Sequence, residues 1–414
     1  MNSPAPKLTS RVGYLLGLGM LAKFFVDTAN QLFNPYLMIY AAGIGVSGIT
    51  MGKMISLRNL SGLIAPVIGS LADRYGYRRL MRLNLLLAAL GLLLFALGNR
   101  MVPILLGMVI WGVGQGGYTP NVHSYLSSRL PYKKRSRYLG MLEYSWAMAG
   151  IVGLSLTGLI IQGVSWRLPL FLLSGGLAGS ALLMGTLPRN SMTSEVPSVK
   201  PTPKGWSAAQ LRDFFHLGPH SRSAWAAVAV NVFNFFAAFH IIITHGAYLD
   251  IEFGLTPARL GSVALVMGLV DWSASILVST VGDRIGKRRS MMIGSIGLIL
   301  SSLLLPFMKG SLIIAIIGLM TPRFFFEFAT VSNFPLLSEQ YPAGRGKVLA
   351  MGIAGGLIGA TIAAATGPAA YLKAGLWGLG PVSAATASVS LLLLVFIVKD
   401  RPGNGLDSSS EVNL

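Results

Sequence analysis

The 414-residue chain contains no cysteine, which excludes a disulfide framework, thiol chemistry and a thiolate metal site. Acidic side chains are scarce: 14 Asp and Glu stand against 33 Lys and Arg, for a net charge of +19. Only 11% of residues are charged, where soluble chains carry about 25%. No His/Asp/Glu cluster has metal-ligand spacing, and no Gly-rich phosphate loop of the Gly-x-x-x-x-Gly-Lys-Ser/Thr kind occurs. No metal, cofactor or nucleotide motor is therefore expected. The N-terminus lacks a signal-peptide pattern, so the first apolar segment reads as a retained helix. What is abundant is apolar: 53% hydrophobic residues and a mean hydropathy of +0.64. A chain this apolar cannot cover a water-facing surface, and the bilayer must be its solvent.

Apolar runs of about 20 residues, enough to cross a bilayer, fall at 12–38, 49–71, 81–98, 102–126, 139–162, 167–187, 223–246, 257–280, 290–308, 312–337, 348–371 and 376–398. The fold expected is all-α, twelve transmembrane helices in two six-helix bundles, over 1–187 and 223–414. The polar segment 188–222 reads as the linker, with a short surface helix near Leu211–His216. Basic residues sit in short loops on one side: Lys7 and Arg11, Arg74 to Arg82, Arg129 to Arg137, the linker, Arg284 to Arg289, Arg345, Lys347, Lys399 and Arg401. The opposite loops hold Arg100, Arg167, Arg259, Lys309 and Lys373. A bias of about five to one predicts a multi-pass protein with both termini cytoplasmic. The surplus charge then reflects topology and attraction to anionic lipid. It does not signal nucleic acid, because no basic face is interleaved with aromatics.

Two stretches repeat at one offset. Asp73-Arg74-Tyr75-Gly76-Tyr77-Arg78-Arg79 recurs 210 residues later as Asp283-Arg284-Ile285-Gly286-Lys287-Arg288-Arg289. Arg135-Ser136-Arg137 recurs, also 210 residues later, as Arg345-Gly346-Lys347. The chain is two copies of one unit, a construction common among secondary transporters. Within the loop, Gly69 and Gly76 permit a tight turn, and Asp73 can cap a helix or pair with a cation. The arginines can meet lipid phosphate or clamp a carboxylate. The stretch from Gly69 to Arg79 closely resembles the signature loop of the major facilitator superfamily. The resemblance covers the whole chain. It implies a central cavity lined mainly by the first, fourth, seventh and tenth spans, and alternating access by rocking of the halves. It also implies that the signature Asp helps hold the outward-facing state.

Within that superfamily the chain looks most like bacterial drug/sugar:proton antiporters, which places it in a bacterial inner membrane. Two departures stand out. The fourth span lacks the usual Arg, while Arg323 falls opposite Val113, 210 residues on. The fifth span carries Gly153-Leu154-Ser155-Leu156-Thr157-Gly158, with Leu154 where the antiporter motif has Pro. The sequence keeps the glycines and predicts no kink.

A charge at bilayer depth costs about 2.5–3.5 kcal/mol or more, so each needs a partner or a function. In the first span Lys23, Asp27, Asn30, Gln31 and Asn34 share one face of a helix. They either line the cavity or include a self-neutralised Lys23–Asp27 pair. In the tenth span Arg323 and Glu327, one turn apart, carry the same two readings. Arg58 lies near the depth of Asp27 and carries two readings, a structural pair with Asp27 or a place in the cavity wall; Lys53 is expected to snorkel at the outer interface. Glu143 and Asp271 have no basic residue within one turn. In low dielectric such a carboxyl favours its neutral form, as a proton carrier needs; the alternative is a cation supplied by another helix. Asp27 and Glu327, with cations nearby, are expected to stay ionised. His123, His240 and His245 read mainly as packing residues. Trp111, Gln115, Tyr118 and Asn121, with Asn231, Asn234 and Phe235, could form an aromatic and amide cavity wall or simply pack.

The leading functional reading is a monomeric, proton-coupled secondary transporter exporting a small organic solute, with no enzymatic activity. Uptake by proton symport or a facilitator is the alternative. A lipid translocase, which needs an apolar lateral groove, and a non-transporting receptor, which would tolerate loss of Asp27 and Glu327, stand further off.

Overall fold

In the computed structural model, residues 8–64, 72, 75–127, 129, 132–188, 215–218, 220–341 and 344–399 are described. Gly69, Asp73 and Arg74 of the first signature loop lie outside them, as do residues 211–214 of the expected surface helix. The described residues form helices and no strands. In chain order these are α1 (Leu8–Gln31), α2 (Phe33–Ile44), α3 (Gly48–Gly62), α4 (Tyr77–Leu97), α5 (Met101–Ser127), α6 (Tyr132–Met148), α7 (Ser155–Gly163) and α8 (Leu168–Leu183). They continue as α9 (Ser221–Ile242), α10 (His245–Phe253), α11 (Pro257–Ile285), α12 (Lys287–Leu304), α13 (Leu312–Gln340), α14 (Arg345–Ala374) and α15 (Leu376–Phe396). A π-helical turn, Ala149–Leu154, joins α6 to α7.

Among the described residues, helix falls within each of the twelve apolar runs. Ten described spans are long and apolar enough to cross a membrane by themselves, or eleven if α2 and α3, bent by 113° across a short break, count as one span. The first run differs from expectation because it is broken. α1 stops at Gln31, and the backbone at Tyr36, just after Pro35, leaves helical geometry with φ −113° and ψ 19°. A proline removes a helical donor and bends the chain there. The polar face of the first span therefore ends at Gln31, and Asn34 lies beyond the break. The fifth span also departs from expectation: it is irregular without proline. Its π turn carries Gly150 and Gly153, where α11 approaches so closely that a Cβ on Gly150 would sit 3.2 Å from the Gly268 backbone. Single π turns relieve such crowding inside a helix.

The duplication read from sequence is visible in the packing. In the first half α4 packs on α5 and α8, α3 on α5, and α1 on α6 and α8. In the second half α12 packs on α13 and α15, α11 on α13, and α9 on α14 and α15. These are the same pairings of spans. The repeated loop obeys the same rule at the level of the backbone. Gly76 and Gly286 adopt φ of 90° and 92°, a region that side chains disfavour. Their N–H groups donate to Ala72 and Gly282, themselves 210 residues apart. Two residues on, Arg78 donates to the Gly185 carbonyl and Arg288 to the carbonyls of Leu394 and Val395. Each arginine thus satisfies orphan carbonyls at the end of its half's last helix, where a cation also meets the negative end of the helix dipole.

Glycines set the closeness of these contacts. A Cβ on Gly91 would strike the backbone of Trp111 and Gly107, and one on Gly294 would strike Ala329. Phe33, Tyr40, Phe95 and Trp166 interlock beside this seam with ring centroids 5.2–6.3 Å apart. Leu83, Leu86, Leu90 and Leu97 of α4 and Ile293, Ile296, Leu300 and Leu303 of α12 are exposed on the outer surface, as a lipid-facing helix requires. Between the halves, α2 meets α10, α3 meets α14, and α7 with the π turn meets α11. Gly246 abuts Pro35, Gly52 abuts Ala364 and Pro368, and Gly158 abuts Pro257. The Ser155 hydroxyl donates to the Gly261 carbonyl at 3.2 Å, and the Ala258 N–H donates to Gln162 Oε1 at 3.1 Å. These glycine contacts and hydrogen bonds lie toward the 45–47, 164–167 and 254–256 connections, away from the chain termini. The halves are closed at that end.

Gly76→Ala and Gly286→Ala are each expected to lower stability by about 1–3 kcal/mol, the cost of placing a side chain in this backbone region. Gly17→Ala, with nothing within 4 Å of the new methyl, should be neutral or better. Thermal unfolding of the detergent-solubilised variants checks the contrast.

Candidate functional site

Two clusters of ionised side chains occupy the middle of the bundle, one in each half. In the first half Lys23 Nζ lies 2.8 Å from Asp27 Oδ2 and 3.1 Å from Glu143 Oε2. His123 Nε2 lies 2.9 Å from Glu143 Oε1, and the Ser145 hydroxyl donates to Asp27 Oδ2 at 2.9 Å. In the second half Arg323 forms a two-bonded pair with Asp271, Nε to Oδ1 at 2.7 Å and Nη2 to Oδ2 at 2.6 Å. Glu327, one turn on, receives a hydrogen bond from the Ser275 hydroxyl at 3.1 Å and makes no ion pair among the described residues.

These contacts revise several expectations. Glu143 and Asp271 lack a cation on their own helices, but Lys23 and His123 reach Glu143, and Arg323 reaches Asp271, from neighbouring helices. Arg323 does not neutralise Glu327. Its planar fork matches a carboxylate two-on-two, and Asp271 takes both prongs. The expected Arg58–Asp27 pair is also absent. Arg58 donates to the Oδ1 atoms of Asn30 and Asn59 at 3.0 and 2.9 Å, while Asp27 is held by Lys23 and Ser145.

The expected aromatic and amide wall is mostly packing. Trp111, Tyr118, Asn121, Asn231 and Asn234 are buried. The Tyr118 hydroxyl donates to the Gly19 carbonyl at 3.3 Å. Asn231 donates to the Gly352 carbonyl at 2.6 Å and accepts from Asn333 at 2.9 Å, while Asn234 donates to Thr330 at 3.5 Å. Phe235 packs edge-on against Phe326. These groups tie α9 to α13 and α14, because the interior amides find partners on the nearest helices. Asn34 is buried on α2, and Gln115 is half-buried with Oε1 lacking a partner. His240 and His245 are buried; His245 Nδ1 contacts the Ile242 carbonyl.

A short run on α6 gathers both clusters. Glu143 meets Lys23 and His123, Ser145 meets Asp27, and the Trp146 carbonyl accepts from Gln31 at 3.0 Å. Trp146 also lies close to Asp271 across the boundary between halves. Sequence reading missed Ser145, Trp146 and Ser275. Helical spacing from Glu143 carried the only signal for Trp146. Nothing marked the serines, which are common in membrane helices. The Glu143 side chain is 52% exposed, whereas those of Lys23, Asp271 and Arg323 are buried. The first cluster is therefore less enclosed on its Glu143 side than the second.

Each cluster holds one permanent cation and two carboxyls. Arrangements of this kind, in two equivalent helical halves, fit transport. The sequence profile of the Major Facilitator Superfamily matches residues 19–249 and again 225–412. The MFS-type transporter YwfA of Bacillus subtilis (strain 168) is 24% identical over 93% of this chain and 92% of its own. The multi-drug resistance efflux pump PmrA homolog of Lactococcus lactis is 33% identical, over 39% of this chain and 40% of its own. Among solved structures, a D-xylose-proton symporter superposes with a TM-score of 0.75 at 16% identity, over 95% of this chain and 98% of its own. The human organic anion transporter MFSD10 gives 0.69 at 17% identity, over 94% and 100%.

Arg323→Gln leaves Asp271 buried without its cation and should cost about 3–5 kcal/mol, as loss of one partner of a buried pair does. The double variant Asp271→Asn/Arg323→Gln should recover part of that loss. Unfolding curves for wild type, Arg323→Gln, Asp271→Asn and the double variant give the coupling directly. The chain belongs to the major facilitator superfamily and is a multi-pass membrane secondary transporter.

Proposed function

We propose that the chain exports a small organic solute in exchange for protons. The observation that carries this reading is the commitment of Arg323 to Asp271, which leaves Glu327 in the bundle with a serine hydroxyl as its partner. A carboxylate held there without a cation is costly, and binding a proton removes the cost. Glu327 is thus the proton carrier of the second half, and Asp271 the fixed counter-ion. This exchanges the roles expected from sequence. In the first half Lys23 is shared by Asp27 and Glu143, and the exposed Glu143 is the carboxyl that can exchange a proton with water. The efflux function named for the PmrA homolog supports the outward direction.

In this reading the halves, 1–187 and 223–414, rock about the central clusters, with 188–222 as the link between them. The loop charge bias supports cytoplasmic termini, and the bacterial relatives support a bacterial inner membrane. The closed end is then external, and the conformation described here is inward-facing. Ligand and proton binding shift the balance between inward- and outward-facing states only through their different affinities for the two. The transporter acts as a monomer, since one chain supplies both halves of the cavity, and its basic inner loops lie against anionic lipid headgroups.

Glu327→Gln mimics the protonated carboxyl. In proteoliposomes it should lose solute flux driven by a pH gradient yet retain solute exchange at equal pH. Asp271→Asn should impair both. If Glu327→Gln keeps gradient-driven flux at the wild-type level, coupling does not run through this residue.

A further inference from the structure

Of the three buried basic residues among the described spans, Lys23 and Arg323 meet carboxylates and Arg58 does not. Arg58 is 3% exposed and sits on α3, between α1 and α5. Its guanidinium lies 4.7 Å above the Trp111 ring and 5.6 Å from that of Phe33. Nε and Nη2 both reach Asn59 Oδ1, at 3.3 and 2.9 Å, and Nη2 also reaches Asn30 Oδ1 at 3.0 Å. Nη1, with two hydrogens to give, has one long contact of 3.4 Å to the Asn30 carbonyl. Two neutral amide oxygens thus stand where a carboxylate's oxygens would fit, and the donor set is only partly used.

The surroundings suit an acidic aromatic ligand. Gln115, one turn from Trp111 on α5, has a buried Oε1 without a partner, ready for an N–H or O–H of the solute. Asn30 is half-buried, so it is the movable side of this cage, whereas Asn59 and Trp111 are closed in. An ionised residue inside a membrane span calls for a counter-charge, and among the described residues no carboxylate meets Arg58. We propose that Arg58, Asn30 and Trp111 form an anion-recognition subsite. The transported solute then carries a carboxylate or similar acid group, which displaces the Asn30 amide and takes the free prongs of Arg58 while its flat apolar body lies near Trp111. This deepens the transport reading and rests on it, but it does not depend on Glu327 or on the direction of flux.

The test is equilibrium binding to the purified full chain, at one pH and without a gradient, of three probes of one shape: 2-naphthoate, 2-naphthamide and 2-naphthylmethylammonium. Wild type should bind the naphthoate tighter than the amide by about tenfold or more, the scale of a charge-assisted two-pronged contact. Arg58→Gln should erase that preference while leaving amide binding in place. Arg58→Lys should retain part of it, since the charge remains and the fork is lost. Asn30→Ala removes the competing amide and should tighten naphthoate binding, a gain that a merely structural role would not give. If Arg58→Gln does not fold, Arg58→Lys and Asn30→Ala decide. No preference for the naphthoate in wild type, a cation preference, or an unchanged ratio in the variants would overturn the inference. Amide or ammonium binding without naphthoate binding would leave the transport reading standing and remove this one alone.

Discussion

The buried pair between Asp271 and Arg323 is the constraint on which the centre of this molecule turns. A buried guanidinium inside a membrane protein needs its donors satisfied, and its fork is satisfied best by one carboxylate taking both prongs. Once Asp271 does so, at 2.6 and 2.7 Å, Glu327 has to be accommodated by other means. Trp146 lies close to the same Asp271 from the other half, so the pair also stands at the boundary between the halves.

The two halves solve the same electrostatic problem with different residues. The first uses a lysine shared between Asp27 and Glu143, and the second an arginine held by Asp271 with Glu327 left over. The backbone frame is nevertheless duplicated down to single dihedral angles, as Gly76 and Gly286 demonstrate. Scaffold and chemistry have separated. The turns, the glycine-mediated helix contacts and the arginines that cap the last helix of each half repeat. The ionised groups in the interior do not, and this asymmetry lets the halves carry different tasks.

Much of the scaffold was legible because it rests on local rules. Span length and the offset of 210 residues each follow from chain periodicity. The central site was legible as a set of residues and not as a set of partners. Helical spacing suggested that Lys23 would meet Asp27, and it does. The same spacing suggested that Arg323 would meet Glu327, and there the better geometry of Asp271 on an adjacent helix prevailed. No local pattern reports which neighbouring helix faces a side chain. Nor could it report that Gly150 and Gly153 would widen into a π turn, since that depends on the approach of Gly268. Arg58 was placed at the right depth and given the wrong partner for the same reason.

The claim that Glu327 holds the exchangeable proton can be read directly by infrared difference spectroscopy of the protein in lipid, stepped between low and high pH. The account predicts a protonated-carboxyl band that disappears on the alkaline side, is lost in Glu327→Gln and persists in Asp271→Asn. A band that survives in Glu327→Gln and vanishes in Asp271→Asn would contradict it, and would make the arginine's partner the proton carrier instead.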